Sequence, residues 1–260
     1  MVITLTTDFG YQDPFVGIMK GVIAAINPKV KVIDLTHGVP AQNIIAGALI
    51  LQHSVRYFTA GTVHVVVVDP GVGSVRKPIL VEHEDNYFVG PDNGVLSLAL
   101  DDKAPKRIIE LTNAEYHLKQ VNKTFHGRDI FAPVAAHLSL GIPTTELGKP
   151  LDTLVNLHMP QVLCSENRLE GEIIYADSFG NLFTNIRARD LTGFPVDRLR
   201  VAFGNVQLNG LVANYANVRS GAFACLFNSW GLLEIALNKG NVMERTGAKI
   251  GDKVTVTVKD

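Results

Sequence analysis

Alternation of strand-like and helix-like segments over the first 68 residues constrains the fold of this chain more than any other feature. Residues 2–6 read as a buried strand, and Asp13-Pro14 then offers an N-cap followed by a first-turn proline. An apolar face follows through Phe15, Ile18, Met19, Val22 and Ile26. A second strand at 32–35 leads into a helix at 44–57, and 63–68 is a continuous apolar strand between Gly61 and Pro70. Strand, helix, strand, helix, strand predicts an α/β domain with a largely parallel sheet. Strands at 79–82, 87–89 and 107–111, a short helix after Asp92 and a helix at 129–140 complete that domain.

Past residue 168 the rhythm changes. Short alternating runs at 171–175, 182–186, 199–203, 222–227 and 253–258, separated by Gly-rich turns, predict a smaller β-barrel-like domain. One short helix is expected within it, near 232–238. Residues 141–167 hold three prolines and little periodicity, so they read as a connection between an α/β domain at 1–150 and a barrel-like domain at 165–260.

Composition narrows the function classes. With 47% hydrophobic residues in 260, there is ample material for a core, and the net charge of -1 comes from interspersed acids and bases. No basic run stands beside an aromatic stripe, which argues against nucleic acid and membrane surfaces as partners. Cys164 and Cys225 lack a CxxC partner, so neither a disulfide framework nor a thiolate zinc site is expected. The opening MVITLTTDFG starts as a strand, and the apolar stretch at 44–51 is too short to span a bilayer; a cytoplasmic location is the expectation.

Polar clusters stand where strands of the first domain should end: Thr7-Asp8, Asp69-Pro70-Gly71 and Pro91-Asp92-Asn93. Ligands of open α/β sheets collect beyond the carboxyl ends of strands, where an aspartate can accept both hydroxyls of a ribose. The competing structural reading has each aspartate capping the next helix or turn, which suits Asp13 and Asp92 better than Asp8 and Asp69. The loop Asp69-Pro70-Gly71-Val72-Gly73-Ser74-Val75-Arg76 carries a carboxylate and a guanidinium at its two ends, but neither GxxxxGK[ST] nor GxGxxG spacing is present. His126, in Thr124-Phe125-His126-Gly127-Arg128-Asp129, lies outside the apolar periodicity and can offer a ring nitrogen to a ligand; His37 reads as structural. With no HxH or HExxH spacing, no metal and no cofactor are expected. In the second domain, Asp177-Ser178-Phe179-Gly180-Asn181 reads as a polar turn. Asn228-Ser229-Trp230-Gly231 reads as the start of the short helix, whose free N–H groups would suit a carboxylate.

Five motifs in order, Thr6-Thr7-Asp8-Phe9-Gly10, Asp69-Pro70-Gly71-Val72-Gly73, Pro91-Asp92-Asn93-Gly94, Thr124-Phe125-His126-Gly127-Arg128-Asp129 and Phe179-Gly180-Asn181, resemble the S-adenosylmethionine hydroxide adenosyltransferases over nearly the whole chain. The resemblance implies hydrolysis of S-adenosylmethionine at C5′ to adenosine and methionine. It implies a catalytic set of Asp69, Arg76 and His126, a ribose-binding Asp8, and further substrate contacts from Asp177, Asn181, Tyr215, Asn228, Ser229 and Glu234. It also implies a homotrimer with sites at subunit interfaces. In the related fluorinating and chlorinating enzymes a neutral residue matches Asp69, a tyrosine-like one His126 and an aromatic Gln42, so hydrolysis is favoured over halide transfer. An adenosyl-halogenase, a non-catalytic nucleoside sensor and a metal-dependent hydrolase are the competing expectations.

Overall fold

The structure, a computed structural model, describes residues 1–101, 103–195 and 198–259. They divide into two compact units, Met1–Leu157 and His158–Asp260. No helix among the described residues is long and apolar enough to cross a membrane.

The first unit contains β1 (Val2–Thr7), α1 (Phe15–Ile26), β2 (Lys31–Thr36), α2 (Ile44–Val55), β3 (Val63–Val67), β4 (Pro78–His83), β5 (Asn86–Pro91), β6 (Arg107–Glu110), α3 (Ala132–Ser139) and β7 (Lys149–Leu151). They form one sheet in the order β2-β1-β3-β5-β4-β6-β7. The expected parallel pairing holds for β2, β1, β3 and β5. Beyond β5 the sheet is antiparallel, which makes it mixed. The cause is local: only Glu84 and Asp85 join β4 to β5, and two residues can close a hairpin but not a crossover.

On one face Met19 and Ile23 of α1 pack with Val134 and Ala135 of α3 over Ile3, Leu5, Val63 and Val65. The start of α1 differs from expectation. Pro14, at φ -75°, takes the N-cap position and no side chain caps the helix, so Asp13 plays no such role. Asp92 is not a helix cap either; its carboxylate accepts the Val155 N–H at 2.7 Å. By contrast Asn43 caps α2 by accepting from Ala46 N at 2.9 Å.

In the second unit β8 (Leu163–Ser165), β9 (Arg168–Ala176), β10 (Leu182–Arg187), β11 (Leu199–Phe203), β12 (Val206–Asn209), β13 (Phe223–Phe227), β14 (Leu232–Leu237), α4 (Val242–Thr246) and β15 (Lys253–Val258) follow in turn. The strands form an antiparallel sheet, β12-β11-β15-β9-β10-β14-β13, with β8 beside β9. The sheet curls until Val212 N, just past β12, donates to Cys225 O of β13 at 2.8 Å, nearly closing a barrel around Leu169, Ile173, Val201, Leu233 and Val256.

The helix expected at 232–238 is strand β14. Its sequence LLEIAL is buried through its first five residues and offers helix formers without period-two alternation, but pairing with β10 and β13 on both sides decides its state. Residues 228–231 are therefore the hairpin turn from β13 to β14, with Gly231 at φ +74° and Asn228 Oδ1 accepting from Trp230 N and Leu232 N at 2.9 and 3.1 Å. No helix N-terminus stands there to receive a carboxylate.

His64 lies wholly buried on β3. Its Nδ1 is 2.8 Å from Thr4 Oγ1, and its ring stacks on Phe88 at a centroid distance of 5.3 Å. Burial pushes the imidazole down from 6.5 to about 4. The unfolded chain thus takes up this proton at a pH where the folded chain refuses it, so stability is full above 6.5 and is lost as pH falls towards 4. The window corresponds to about 3 kcal/mol. His64→Leu should flatten the dependence of unfolding free energy on pH between 4.5 and 6.5, measured by urea denaturation; an unchanged slope would assign the effect to other groups.

Candidate active site

The order β2-β1-β3 means that the chain leaves β1 towards one side of the sheet and returns on the other. A crevice opens between the carboxyl ends of β1 and β3 at such a switch. Thr7 lies opposite Val67 in the parallel register, so Asp8 and Asp69 leave neighbouring strands at the same edge. Asp8 Oδ2 accepts the backbone N–H of Gln42 at 2.8 Å, and Gln42 holds the left-handed conformation, φ +63°, that aims this donor.

Asp69 begins a compact loop of successive turns, with Val72 N donating to Asp69 O and Ser74 N to Gly71 O. The loop returns Arg76 onto Asp69: Arg76 Nε donates to Oδ1 at 2.9 Å, and Nη2 donates to Oδ2, a bidentate pair. Both side chains are more than nine-tenths buried. Arg76 Nη2 also lies 2.8 Å from His126 Nδ1. A guanidinium can only donate, so Nδ1 is the acceptor and the neutral ring carries its proton on Nε2. Burial first, and the Arg76 charge second, hold the His126 pKa below its ordinary value of 6.5.

Asp69, Arg76 and His126 thus meet from two loops 50 residues apart in sequence. The second loop is itself well fixed. Buried Asp129, within a π-helical turn at Gly127–Phe131, accepts from Asn122 N at 2.8 Å and from Arg128, closing the loop that leads into that turn. Phe131 lies under the Arg76 guanidinium, 5.5 Å from Cζ to ring centroid. Of the five Arg76 N–H groups, the two on buried Nη1 find no partner among the described residues. A buried donor left unmet costs about 1–3 kcal/mol, so a water molecule or a bound oxygen is expected to meet these two.

The second unit has its own cavity, about 430 Å³, within the usual range for small-molecule sites. Of the candidate residues, Asp177, Tyr215, Asn228, Ser229 and Glu234 line it, whereas Asn181 does not. Asn181 instead donates through Nδ2 to Asp177 Oδ2 at 3.0 Å, and Asp177 Oδ1 accepts from Phe179 N and Asn181 N, so this turn is internally bonded. Glu234, 1% exposed, accepts the Tyr215 hydroxyl at 2.8 Å. Burial raises the Glu234 carboxyl above its usual range; the Tyr215 hydroxyl bond and the nearby Asn228 amide act the other way without cancelling this. An aromatic wall that no sequence motif marked, Tyr175, Phe183 and Trp230, also lines the cavity, with rings 5.2–5.4 Å apart. Tyr175 and Phe183 are a cross-strand pair flanking the 177–181 turn, a signal available from two correctly placed strands.

Comparison with known proteins bears on both units. The family models for the SAM hydroxide adenosyltransferase N-terminal and C-terminal domains match residues 3–148 and 171–255. The chain belongs to the SAM hydroxide adenosyltransferase family. It is similar to the (R)-S-adenosyl-L-methionine hydrolase of Salinispora tropica, at 38% identity over 98% of this chain and 97% of the other. The enzyme of the same name from Thermus thermophilus is 36% identical over 94% and 95%. A fluorinase of an Actinoplanes species is more distant, at 27% over 98% and 97%. A crystal structure of an uncharacterized conserved protein from Thermotoga maritima superposes with a TM-score of 0.90 at 36% identity, covering 99% of this chain and 100% of that one.

Within this member of the adenosyltransferase family, one glycine determines whether the two loops meet. Gly73 sits at φ +76°, and a Cβ there would lie 2.4 Å from the carbonyl oxygen of Lys123. Gly73→Ala should therefore push the Asp69–Arg76 loop off residues 122–126 and separate Arg76 from His126. Turnover of S-adenosylmethionine, followed by chromatography, should fall at least about tenfold with little change in far-ultraviolet circular dichroism. Full activity in this variant would show that the contact of the loops is dispensable.

Proposed function

We propose that this chain hydrolyses S-adenosyl-L-methionine at C5′, releasing adenosine and L-methionine. The observation that carries the reading is Arg76: three of its N–H groups are committed to Asp69 and His126, leaving the buried Nη1 donors open beside them. Donors so arranged suit a small oxygen nucleophile with hydroxide character. The sulfonium sulfur leaves as a neutral thioether, so the leaving group needs no acid. The chemical demand is to align the nucleophile with the C5′–S bond. In this reading Arg76 and the His126 Nε2–H stabilise the developing negative charge on the oxygen, and Asp69 orients it or takes its proton.

We further infer that Asp8 holds the ribose diol and that Asp177, Asn181, Tyr215, Asn228, Ser229 and Glu234 serve the remainder of the substrate. The assembly proposed is a homotrimer, in which the first unit of one subunit meets the second unit of its neighbour. Domain limits of 1–150 and 165–260, and a cytoplasmic location, belong to the same proposal. The step needs no cofactor, and substrate is the only small-molecule partner it invokes.

Halide transfer is disfavoured by a specific contact. A halide approaching this centre meets the Asp69 carboxylate, whereas water can donate a hydrogen bond to it. Incubation with S-adenosylmethionine in ¹⁸O-labelled water containing chloride should give adenosine labelled at the 5′ hydroxyl and no chlorinated nucleoside. A 5′-chloro product would establish the halogenase instead. Asp69→Ala should reduce adenosine release at least about a hundredfold while substrate binding, measured by calorimetry, changes only a few-fold. Tight binding without turnover in the wild-type chain would identify a sensor.

The acid limb follows from His126. Its depressed pKa keeps the ring neutral, able to accept from Arg76, to a pH below 6.5, and protonation then removes the acceptor. The pH profile of kcat/KM should hold level down to that value and fall beneath it. A limb above 6.5 would contradict the assignment.

A further inference from the structure

His37 lies at the end of β2, outside the catalytic cluster, and it is 1% exposed. Its Nδ1 is 2.8 Å from Thr7 Oγ1, and its Nε2 is 3.1 Å from Asp34 Oδ1. Asp34 in turn accepts from Lys20 at 2.6 Å and from the Tyr11 hydroxyl at 3.0 Å, while the Tyr11 ring meets the imidazole edge-on. Thr7 is wholly buried and its hydroxyl oxygen also accepts the Phe9 N–H at 3.2 Å. One donor assignment fits the Thr7 side: Phe9 N–H donates to Thr7 Oγ1 and Thr7 O–H donates to Nδ1, which leaves the ring proton on Nε2, beside Asp34 Oδ1 but without hydrogen-bond geometry to it.

This chain of contacts ends on both sides of Asp8. Backbone bonds clasp the same two turns, with Gly10 N donating to His37 O at 2.8 Å and Val39 N to Thr7 O at 3.3 Å. Asp8 is thus the polar tip of a turn whose two flanks are tied to the end of β2, with one carboxylate oxygen accepting the Gln42 N–H. We propose that Asp34, His37 and Thr7 are positioning residues that fix the Thr7–Gly10 turn, so that Asp8 is held ready for the two hydroxyls of a ribose. The proposal rests on the reading of Asp8 as the ribose group.

Two carboxylate oxygens can engage vicinal hydroxyls together only when the carboxylate plane is held, so a loosened turn should lose discrimination for the diol before it loses catalysis. The test is calorimetric titration of the full chain with adenosine and with 2′-deoxyadenosine, paired with steady-state kinetics on S-adenosylmethionine. The wild-type chain should prefer adenosine by about tenfold or more, the size expected for a hydrogen bond to a charged group. Thr7→Val, nearly isosteric, and Asp34→Asn, on the half-buried side, should bring that ratio towards one and raise KM about tenfold, with a much smaller change in kcat. Thr7→Ser keeps the hydroxyl and should restore the preference. Retention of the wild-type ratio in both Thr7→Val and Asp34→Asn would overturn the positioning role alone. Absence of any preference in the wild-type chain would overturn the ribose assignment of Asp8, and this proposal with it.

Discussion

Parallel hydrogen bonding between β1 and β3 is the constraint from which the first unit's chemistry follows. Once Thr7 stands opposite Val67, the turns after both strands must emerge at one edge, and the reversal of strand order between them keeps helices from filling the gap. Everything placed there is backbone-anchored. Asn93 Nδ2 donates to Val68 O at 2.9 Å, holding the end of β3, and Gln42 N restrains Asp8. Asp8 and Asp69 thus hang from strand ends, whereas Arg76 and His126 come from loops fixed by their own hydrogen bonds.

Electrostatics then selects what the edge can host. An arginine and an aspartate withdrawn from water together form a pair whose desolvation cost is offset only by good geometry, and the bidentate contact supplies that. The remaining guanidinium face is directed by His126 on one side and the Phe131 ring beneath. The second unit is different in kind. Its cavity wall has aromatic rings, amides and two acids, Asp177 and Glu234, with no basic side chain among its lining residues. It therefore favours cationic or neutral ligand groups.

How far this was legible in the sequence depended on whether local pattern or tertiary pairing decided each element. The first three strands and the helices between them carry their own period, and their ends fell within a few residues of the structure. The antiparallel half of the first sheet was hidden because the two-residue hairpin after His83 lacks a glycine signal. β14 shows no alternation because its first five residues are buried on both faces of the sheet, so its apolar run suits a helix equally well. At the site, the meeting of Asp69 with Arg76 followed from one short loop, but its contact with His126 depends on a fit against Lys123 that no spacing encodes. His37, taken as structural, lies one hydrogen bond from Thr7. Asp34, Lys20 and Tyr11 gave no signal, since their convergence requires the β1–β2 register.

One of the two edge strands of the first sheet, β7, is three residues long, and Pro150 stands at its middle opposite Ile109. Proline has no amide hydrogen, and Lys149 beside it keeps a charge at the rim. A further strand cannot extend the ladder there. Copies of the chain cannot polymerise through that border by backbone pairing, so contacts on that side must be built from side chains, where a single substitution can strengthen or abolish them.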